Sequence, residues 1–490
     1  MFFIDLKVNN KKLDKYQKKV VKSKAKNLLV VAGAGSGKTF TIVAKIKKLI
    51  IEGTLPEEIL CISFTRDSAK SLEEKLKEEN IFIKVKTFHS LGYEIIKKHK
   101  NVNLISDNLL ENIIEKKLNK EKHLKEIANA KFIRLGYPDP IFNKIENNII
   151  LNSKSKERLK EITKTFINLY KSNNHKTKDF KEFEKLNDKK HIYDQKKRHN
   201  YFIKLIKSII IEYEKELKKR HQIDYHDMIN KSIEIVKKID IEKYKYIIID
   251  EYQDTSLNKN NLIKEIQKKS GAKLLAVGDD WQSIYSFTGS NLEIFTNFNK
   301  VFPNAKIIKL KKTYRNSKEL LKITRKFICK NKKQIYKRLT SKKSNKNPIY
   351  IYYYKNNIKE IWNEIVKKTE NQNSLILGRN NKDLYKIPYI PPEMQFLTIH
   401  KSKGLESENT IIINLEDNYD SLPSKINDSE YLMYVKPKSN DYKYAEERRL
   451  FYVALTRCKN NNYLLVKKES PSIFIDEIKK IGKNNIIVSK

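Results

Sequence analysis

Cysteine is scarce in this 490-residue chain, which has only Cys61, Cys329 and Cys458, all far apart. This spacing excludes a disulfide scaffold and any Cys-x-x-Cys zinc site. No apolar run approaches the roughly 18–20 residues that span a membrane. The opening residues, MFFIDLKVNN, lack the charged and long apolar segments of a signal peptide. We therefore expect a cytoplasmic protein with no membrane association and no zinc or iron–sulfur cluster.

Acidic residues are also under-represented. There are 59 Asp and Glu against 102 Lys and Arg, which gives a formal net charge of +43. Such a charge favours a polyanionic partner and predicts salt-dependent binding. Lys, Asn and Ile are abundant throughout the chain, however, as A+T-rich coding would produce. Charge alone therefore does not separate a nucleic-acid-binding protein from compositional drift, and the motifs have to decide.

Apolar residues make up 39% of the chain, which is enough for folded cores. Short apolar runs alternate with helical patterns before residue 100 and after residue 222, as in open parallel sheets. Between them, LLENIIEKKLNK and similar segments place apolar residues at helical spacing, with lysines between. The predicted strands are 27–31, 59–64, 246–250, 274–277, 305–310, 374–378, 410–414 and 463–466.

These patterns predict an α/β protein with two sheet domains. The first would comprise residues 1–100 and 222–304, interrupted by a basic helical insertion at 101–221. The second would comprise residues 305–490. Residues 416–443 have the composition of a long surface loop.

A glycine-rich loop follows the first predicted strand and precedes the first long helical pattern. Its residues are Ala32, Gly33, Ala34, Gly35, Ser36, Gly37, Lys38 and Thr39. In a P-loop, glycines let backbone N–H groups face a phosphate chain at a helix N-terminus. Lys38 would then reach the β- and γ-phosphates, and Thr39 would ligate Mg²⁺. Ala32 departs from the usual first glycine. The alternative is a turn that only connects a strand to a helix.

An acidic pair, Asp250 and Glu251, ends the apolar run YIIID. Carboxylates at the end of a buried strand are costly unless a cation or a reaction uses them. Asp250 would hold Mg²⁺, and Glu251 would orient and deprotonate the attacking water. An exposed acidic turn is the competing interpretation.

Several further segments resemble the motifs of UvrD/Rep/PcrA-like superfamily-one DNA helicases, in the family's order. They are LDKYQ (13–17), FTRDSA (64–69), TFHSLG (87–92), DEYQDTS (250–256), VGDDWQSIYSFTGS (277–290), TYRNS (313–317), LILGRNN (375–381), TIHKSKGLE (398–406) and EERRLFYVALTR (446–457). The resemblance covers roughly residues 1–100 and 222–490. GDDWQSIYSF and EERRLFYVALTR are most similar to the helicase IV branch. The resemblance implies two RecA-like P-loop NTPase cores, ATP and Mg²⁺ as cofactors, and a DNA-stimulated ATPase that moves 3′→5′.

The resemblance also implies roles at the nucleotide. Gln17 would read the adenine edge, Tyr314 would stack on adenine, and Glu406 would contact the ribose. Gln282 would sense the γ-phosphate. Arg315 and Arg457 would reach the cleft from the second core, with Arg457 as the arginine finger. A planar guanidinium suits the charge that spreads over a transferring phosphoryl group. A helix-end arginine is the alternative for Arg457.

A motor on single-stranded DNA needs aromatic platforms and basic groups along its track. The motif positions nominate a set of side chains on both cores for this role. They are Phe64, Thr65, His89, Trp281, Tyr285, Phe287, His400 and Lys403. The competing interpretation is that the aromatic residues belong to the hydrophobic core and that the histidines are structural.

Some positions depart from the family pattern. Phe40 and Thr288 stand where arginine is common among relatives. Only about eighty residues separate TYRNS from TIHKSKGLE, which leaves no room for the large second insertion of longer relatives. Unwinding of single-strand/double-strand junctions could therefore require a protein partner. Three hypotheses stay open: a DNA helicase or translocase, an ATP-switched binding protein with little unwinding, and a motor on RNA.

Overall fold

A computed structural model describes residues 7–119, 142–145, 148–151, 153–240, 244–355, 357–426, 429–436 and 442–489. The first core begins with a hairpin, a capped helix and the first strands of a sheet. In chain order these elements are β1 (Lys7–Val8), β2 (Lys11–Lys12), α1 (Lys15–Lys22), β3 (Asn27–Val31), α2 (Lys38–Ile51), β4 (Ile59–Ser63), α3 (Arg66–Lys77), β5 (Val85–Thr87) and α4 (Phe88–Lys97).

The insertion then leaves the first core and returns to it. It comprises β6 (Asn103–Leu104), α5 (Leu109–Leu118), β7 (Phe142–Ile145), β8 (Asn148–Leu151), α6 (Ser153–Ser172), α7 (Phe180–Lys190), α8 (Tyr193–Lys219) and β9 (Gln222–Ile223). β6 pairs with β9, so the two ends of the insertion meet. The helices enclose a hydrophobic core of their own that includes Phe166, Phe202 and Ile206.

The first core resumes with α9 (Tyr225–Lys238), β10 (Tyr246–Ile249), α10 (Leu257–Ser270), β11 (Lys273–Gly278), α11 (Leu292–Thr296), α12 (Phe298–Val301) and β12 (Lys306–Lys309). Its six-stranded sheet is parallel, in the order β12-β3-β11-β10-β4-β5. β3 is buried along its whole length, as a strand covered by helices on both faces must be.

The second core holds α13 (Lys318–Ile328), β13 (Ile349–Tyr354), α14 (Lys359–Lys368), β14 (Ser374–Gly378), β15 (Met394–Thr398), β16 (Ser407–Ile412), α15 (Ala445–Leu455), β17 (Cys458–Lys467), α16 (Ile473–Ile481) and β18 (Ile486–Ser489). Its sheet is also six-stranded and parallel, in the order β15-β14-β16-β17-β13-β18. Residues 379–393 join β14 to β15 and form a single short 3-10 helix, Asn381–Lys386.

The predicted α/β class with two parallel sheets is confirmed. The boundary placed at residue 304 is wrong, because β12 pairs with β3 and therefore belongs to the first sheet. The sequence could not show this, since an apolar strand pattern does not identify its pairing partner. Across the described ranges, no helix is long and apolar enough to cross a membrane.

The prediction of a surface loop over 416–443 is also wrong in part. Residues Glu430–Tyr434 form a 3-10 helix whose Tyr431, Leu432 and Tyr434 are buried. Together with Val435 they complete the hydrophobic core of the insertion. A segment of the second core thus packs into the insertion of the first. The parts of this prediction at 427–428 and 437–441 lie outside the described residues.

Candidate nucleotide and nucleic-acid site

The glycine-rich loop connects β3 to α2 at the carboxyl edge of the first sheet. Gly35 and Gly37 have φ angles of 66° and 77°, which disfavour residues with a Cβ atom. The amide of Gly33 donates to Oγ of Ser36, and the amide of Ala32 donates to the Gly278 carbonyl. The loop is therefore curled at the N-terminus of α2, where Lys38 and Thr39 form the first turn. This is the arrangement that binds phosphate groups.

Lys38 and the acidic pair meet at the end of β10. The Nζ atom of Lys38 lies 2.5 Å from Oε1 of Glu251. Burial would raise the pKa of Glu251, but the nearby Lys38 lowers it to about 2. For Asp250, burial and then the charge of Glu251 raise the pKa to about 6. Glu251 is thus held as the anion, as a water-orienting base must be.

The backbone at this position is strained. Glu251 has a φ angle of 52°, in the left-handed region that non-glycine residues seldom adopt. Its amide donates to Oδ1 of Asp250, and its Oε2 accepts from Nε2 of Gln253. Strain of this kind persists where surrounding contacts over-determine it, and such sites are often functional.

Thr39 and Asp250 supply a hydroxyl and a carboxylate, the hard oxygen ligands that suit Mg²⁺. Because Asp250 is buried beside another carboxylate, a cation would stabilise its ionised form. The residues present therefore fit the metal that the family resemblance implies.

Two arginines approach this edge from the chain beyond β12. Arg315 donates from Nε to Glu406 at 2.9 Å and from Nη1 to the Thr456 carbonyl. The Cβ atom of Arg315 lies so close to Gly35 that a Cβ atom on Gly35 would be only 2.4 Å from it. Arg457 is buried and donates from Nη2 to Oε1 of Gln282 at 2.9 Å.

A continuous hydrogen-bonded chain connects the acidic pair to Arg457. Gln253 donates to Glu251 and accepts from the Asp279 amide at 2.8 Å. The side chain of Asp279 accepts from Nε2 of Gln282 at 2.5 Å. Gln282 in turn accepts from Arg457. The side chains nominated as the catalytic base, the γ-phosphate sensor and the arginine finger therefore belong to one network.

The residues nominated for adenine and ribose lie beside the N-terminal end of α2. Gln17 is buried and close to Gly37, and its Oε1 accepts from the Asp14 amide in a capping box. Tyr314 is 45% exposed, and its amide donates to the Gly35 carbonyl. Glu406 pairs with Lys459 as well as with Arg315. These residues therefore surround the N-terminal end of α2.

Most of the nominated aromatic side chains form one cluster across the two cores. Phe64 stacks on Tyr285 with ring centroids 5.8 Å apart. His400, from the second core, contacts Tyr285 and Phe287 at 6.3 and 5.6 Å. The hydroxyl of Tyr285 donates to the His400 carbonyl. Nζ of Lys403 lies 4.8 Å from the Tyr285 ring centroid, and its ammonium also pairs with Asp254.

Two nominated residues of the first core, His89 and Thr65, make different contacts. His89 makes an edge contact with Tyr225 at 5.8 Å, and burial lowers its pKa to about 4. Thr65 is exposed and caps α3 by accepting from the Ser68 amide. Neither contact joins them to the aromatic cluster.

Trp281 does not face a nucleic-acid track, and its assignment to DNA binding is wrong. Its side chain is 1% exposed, its Nε1 donates to the Ile335 carbonyl, and its ring packs edge-on against Tyr452. Burial of the whole indole ring leaves no face on which a base could stack. The motif position alone could not reveal this.

The structure also reveals residues that sequence reasoning missed. Lys259 lies 4.3 Å above the Phe64 ring, Gln253 joins the network at Glu251, and Lys337 pairs with Asp279. Gln253 lies within DEYQDTS and could have been found there. Lys259 is flanked by asparagines and Lys337 lies among other lysines, so no local signal distinguishes either residue.

The chain matches two domain families of known proteins. The family described as UvrD/REP helicase N-terminal domain matches residues 13–303, and the UvrD-like helicase C-terminal domain matches residues 388–469. The chain belongs to the UvrD/Rep helicase family. Both matched regions contribute to the network described above, the first through Lys38, Glu251 and Gln282 and the second through Arg457.

Individual relatives of this helicase-family chain are only distantly similar. It is 28% identical over 495 residues to DNA helicase IV of Escherichia coli K12, covering 97% of this chain and 71% of that protein. It is 31% identical over 420 residues to the ATP-dependent DNA helicase Rep of Buchnera aphidicola subsp. Acyrthosiphon pisum. That match covers 80% of this chain and 59% of the Rep protein. It is 26% identical to the ATP-dependent DNA helicase PcrA of Bacillus subtilis, and the match covers 70% of this chain and 42% of that protein. The chain thus spans less than two thirds of this Rep protein and less than half of this PcrA protein.

Proposed function

We propose that this chain is an ATP-dependent motor that moves along single-stranded DNA and separates duplex DNA or displaces bound proteins. The observation that carries the proposal is the 2.9 Å contact between Arg457 of the second core and Gln282 of the first. A nucleotide clamped by Lys38 on one core and by Arg457 on the other is held fully only when the cores close. Binding and hydrolysis would then drive relative motion of the cores.

The aromatic cluster supports a strand track that crosses the same junction. Phe64, Tyr285 and Phe287 lie on the first core and His400 on the second. Each stacked base contributes about 1–3 kcal/mol without sequence preference. A change in the spacing of the cores would alter both the nucleotide site and this cluster. We assign Mg²⁺ to Thr39 and Asp250, where it would neutralise phosphate charge during hydrolysis.

The proposal is tested by ATP turnover with and without single-stranded DNA. Turnover should rise with DNA and be lost in Lys38→Ala and Glu251→Gln. Lys48→Ala is the matched control, since Lys48 lies on the same helix and pairs with Glu52. Equal turnover with and without DNA would contradict a DNA-driven motor.

The 3′→5′ direction rests on the family resemblance. Translocation toward a 5′-biotin should displace bound streptavidin from the oligonucleotide, whereas a 3′-biotin should retain it. Faster displacement from the 3′ end would reverse the assigned direction. RNA oligonucleotides of the same sequence test the alternative of a motor on RNA. That alternative requires RNA to stimulate ATP turnover at least as much as DNA does.

A second candidate function is an ATP-switched binding protein that unwinds poorly without a partner. The observation that favours it is the short connection 379–393, which holds one 3-10 helix. The family resemblance implies that longer relatives have a large insertion between TYRNS and TIHKSKGLE. Strand separation by the isolated chain at saturating ATP distinguishes the two functions. Rapid unwinding by the monomer excludes the second.

A further inference from the structure

The segment after α13 returns from the second core to the first core. In this return segment, residues 329–340, Leu339 packs against the P-loop. Its Cδ1 is so close to Gly33 that a Cβ atom at that position would lie only 2.3 Å from it. The Ile335 amide donates to Oδ2 of Asp280 at 2.7 Å, and the Ile335 carbonyl accepts from the Trp281 indole. The return segment is therefore attached to the residues that immediately precede Gln282.

Lys337 lies at the centre of this attachment. Its side chain is 1% exposed, and its Nζ contacts Asp279 and lies 2.6 Å from Oδ1 of Asp280. Both aspartate side chains are fully buried. The ammonium also lies 4.3 Å from the Trp281 ring centroid. Two adjacent carboxylates in such surroundings require a cation, and Lys337 supplies it.

The contact with Asp279 reaches the nucleotide site through Gln282. One oxygen of Asp279 pairs with Lys337, and the other accepts from Nε2 of Gln282 at 2.5 Å. With its amide nitrogen engaged there, Gln282 presents Oε1 to Arg457. Because Lys337 engages Oδ1, the Asp279 carboxylate is held with Oδ2 facing the side-chain amide of Gln282.

We propose that Lys337 is a positioning residue for ATP hydrolysis, which fixes the side chain of Asp279 and thereby holds Gln282 toward Arg457. Lys337 lies outside the family-like motifs, between TYRNS (313–317) and LILGRNN (375–381). The inference rests on the proposed function, because it assumes that Gln282 and Arg457 act on ATP. It predicts that Lys337 affects the rate of the chemical step more than nucleotide binding.

The test is a kinetic comparison of Lys337→Met with the wild-type chain at saturating single-stranded DNA. We expect kcat to fall at least tenfold, while KM for ATP changes less than threefold. Lys333→Met is the matched control, because Lys333 is an exposed lysine of the same return segment and its loss should leave kcat unchanged. An unchanged kcat in Lys337→Met would overturn the inference.

A double-mutant cycle separates positioning from general loss of packing. If Lys337 acts through Gln282, Lys337→Met should add no more than twofold to the kcat loss of Gln282→Ala. A full tenfold further loss in the double variant would show that the two residues act independently and would overturn the inference.

Lys337→Met could fail to fold, since it leaves two buried carboxylates together. Lys337→Met combined with Asp280→Asn removes that repulsion but still leaves Asp279 without its cation. We expect this pair to fold and to retain a kcat at least fivefold below wild type, and a wild-type kcat would overturn the inference. A wild-type chain without any ATP turnover would overturn both proposals, whereas turnover unaffected by DNA would overturn only the proposed function.

Discussion

The hydroxyl of Tyr434, on the second core, lies 2.8 Å from Nδ1 of His199 in the helical insertion. Tyr431 stacks on Phe202 nearby, with ring centroids 4.4 Å apart, and Asn173 donates to the Val435 carbonyl. Since the insertion branches from the first core, these contacts form a second link between the two halves of the chain. Motion of the second core would therefore be transmitted to the insertion as well as to the nucleotide site.

Weakening this link should loosen the insertion. Leu432 is 5% exposed within the insertion core, so Leu432→Ala should cost about 2–5 kcal/mol. Tyr434→Phe, which loses only a hydrogen bond, should cost about 1 kcal/mol. Hydrogen exchange of the α8 amides should quicken more in the first variant than in the second. Tyr385→Phe, at an 87% exposed position, is the control. Unchanged exchange in Leu432→Ala would contradict the link.

Replacing Arg457 with lysine should abolish most ATP turnover. Its guanidinium donates to Val453, Leu405 and Gln282, a set of directions that an ammonium cannot reproduce. We expect kcat to fall by about 10³-fold, in the range of arginine fingers, with nucleotide affinity little changed. Steady-state ATPase assays give kcat, and fluorescent-nucleotide titration gives affinity. Arg338→Lys, at an exposed position, should behave as wild type, and a wild-type rate for Arg457→Lys would refute the role.

Truncating Phe287 should weaken binding of single-stranded DNA without affecting the fold. Its ring is 51% exposed at the edge of the aromatic cluster, so a base can reach it. Phe287→Ala should cost about 1–3 kcal/mol of binding free energy, measured by fluorescence anisotropy at fixed salt. Phe82→Ala, also exposed, provides a comparison. Equal affinities for Phe287→Ala and wild type would remove this ring from the track.

Truncating Trp281 should have the opposite effect, because its ring is buried. Trp281→Ala should cost about 3–5 kcal/mol of stability and lower the melting temperature. By contrast, Phe287→Ala should leave the melting temperature within a degree or two. A Trp281→Ala variant with normal melting and specific loss of DNA affinity would restore the DNA-binding assignment that the burial contradicts.

Acidification should destabilise the fold through His400. Burial and then the charge of Arg379 lower the pKa of its imidazole to about 4, below the value of about 6.5 for an unfolded chain. Between these values the unfolded state binds the proton and the folded state does not, so stability falls as the pH drops from about 6.5 to about 4. His400→Gln should reduce the loss of melting temperature between pH 7 and pH 5. An identical loss in both proteins would contradict the shifted pKa.

Much of the nucleotide site is predictable because it is local in the sequence. The P-loop, Lys38 and Thr39 follow one another between a strand and a helix, and Asp250 and Glu251 end another strand. In a parallel sheet, such strand ends share one edge, which is why Lys38 meets Glu251 across 213 positions. The strands 27–31 and 374–378 were also predictable from the local sequence, because each is a continuous apolar run.

The tertiary structure decided the relationships that depend on long-range packing. The apolar pattern of β12 did not indicate which sheet it joins, and only pairing with β3 assigns it to the first. The burial of Trp281 and of Tyr431, Leu432 and Tyr434 results from surfaces contributed by distant residues, so neither composition nor motif position reveals it. Lys337 is one lysine among many in the sequence. Its role arises only where the fold surrounds it with two buried carboxylates, because removal from water makes that charge pairing obligatory.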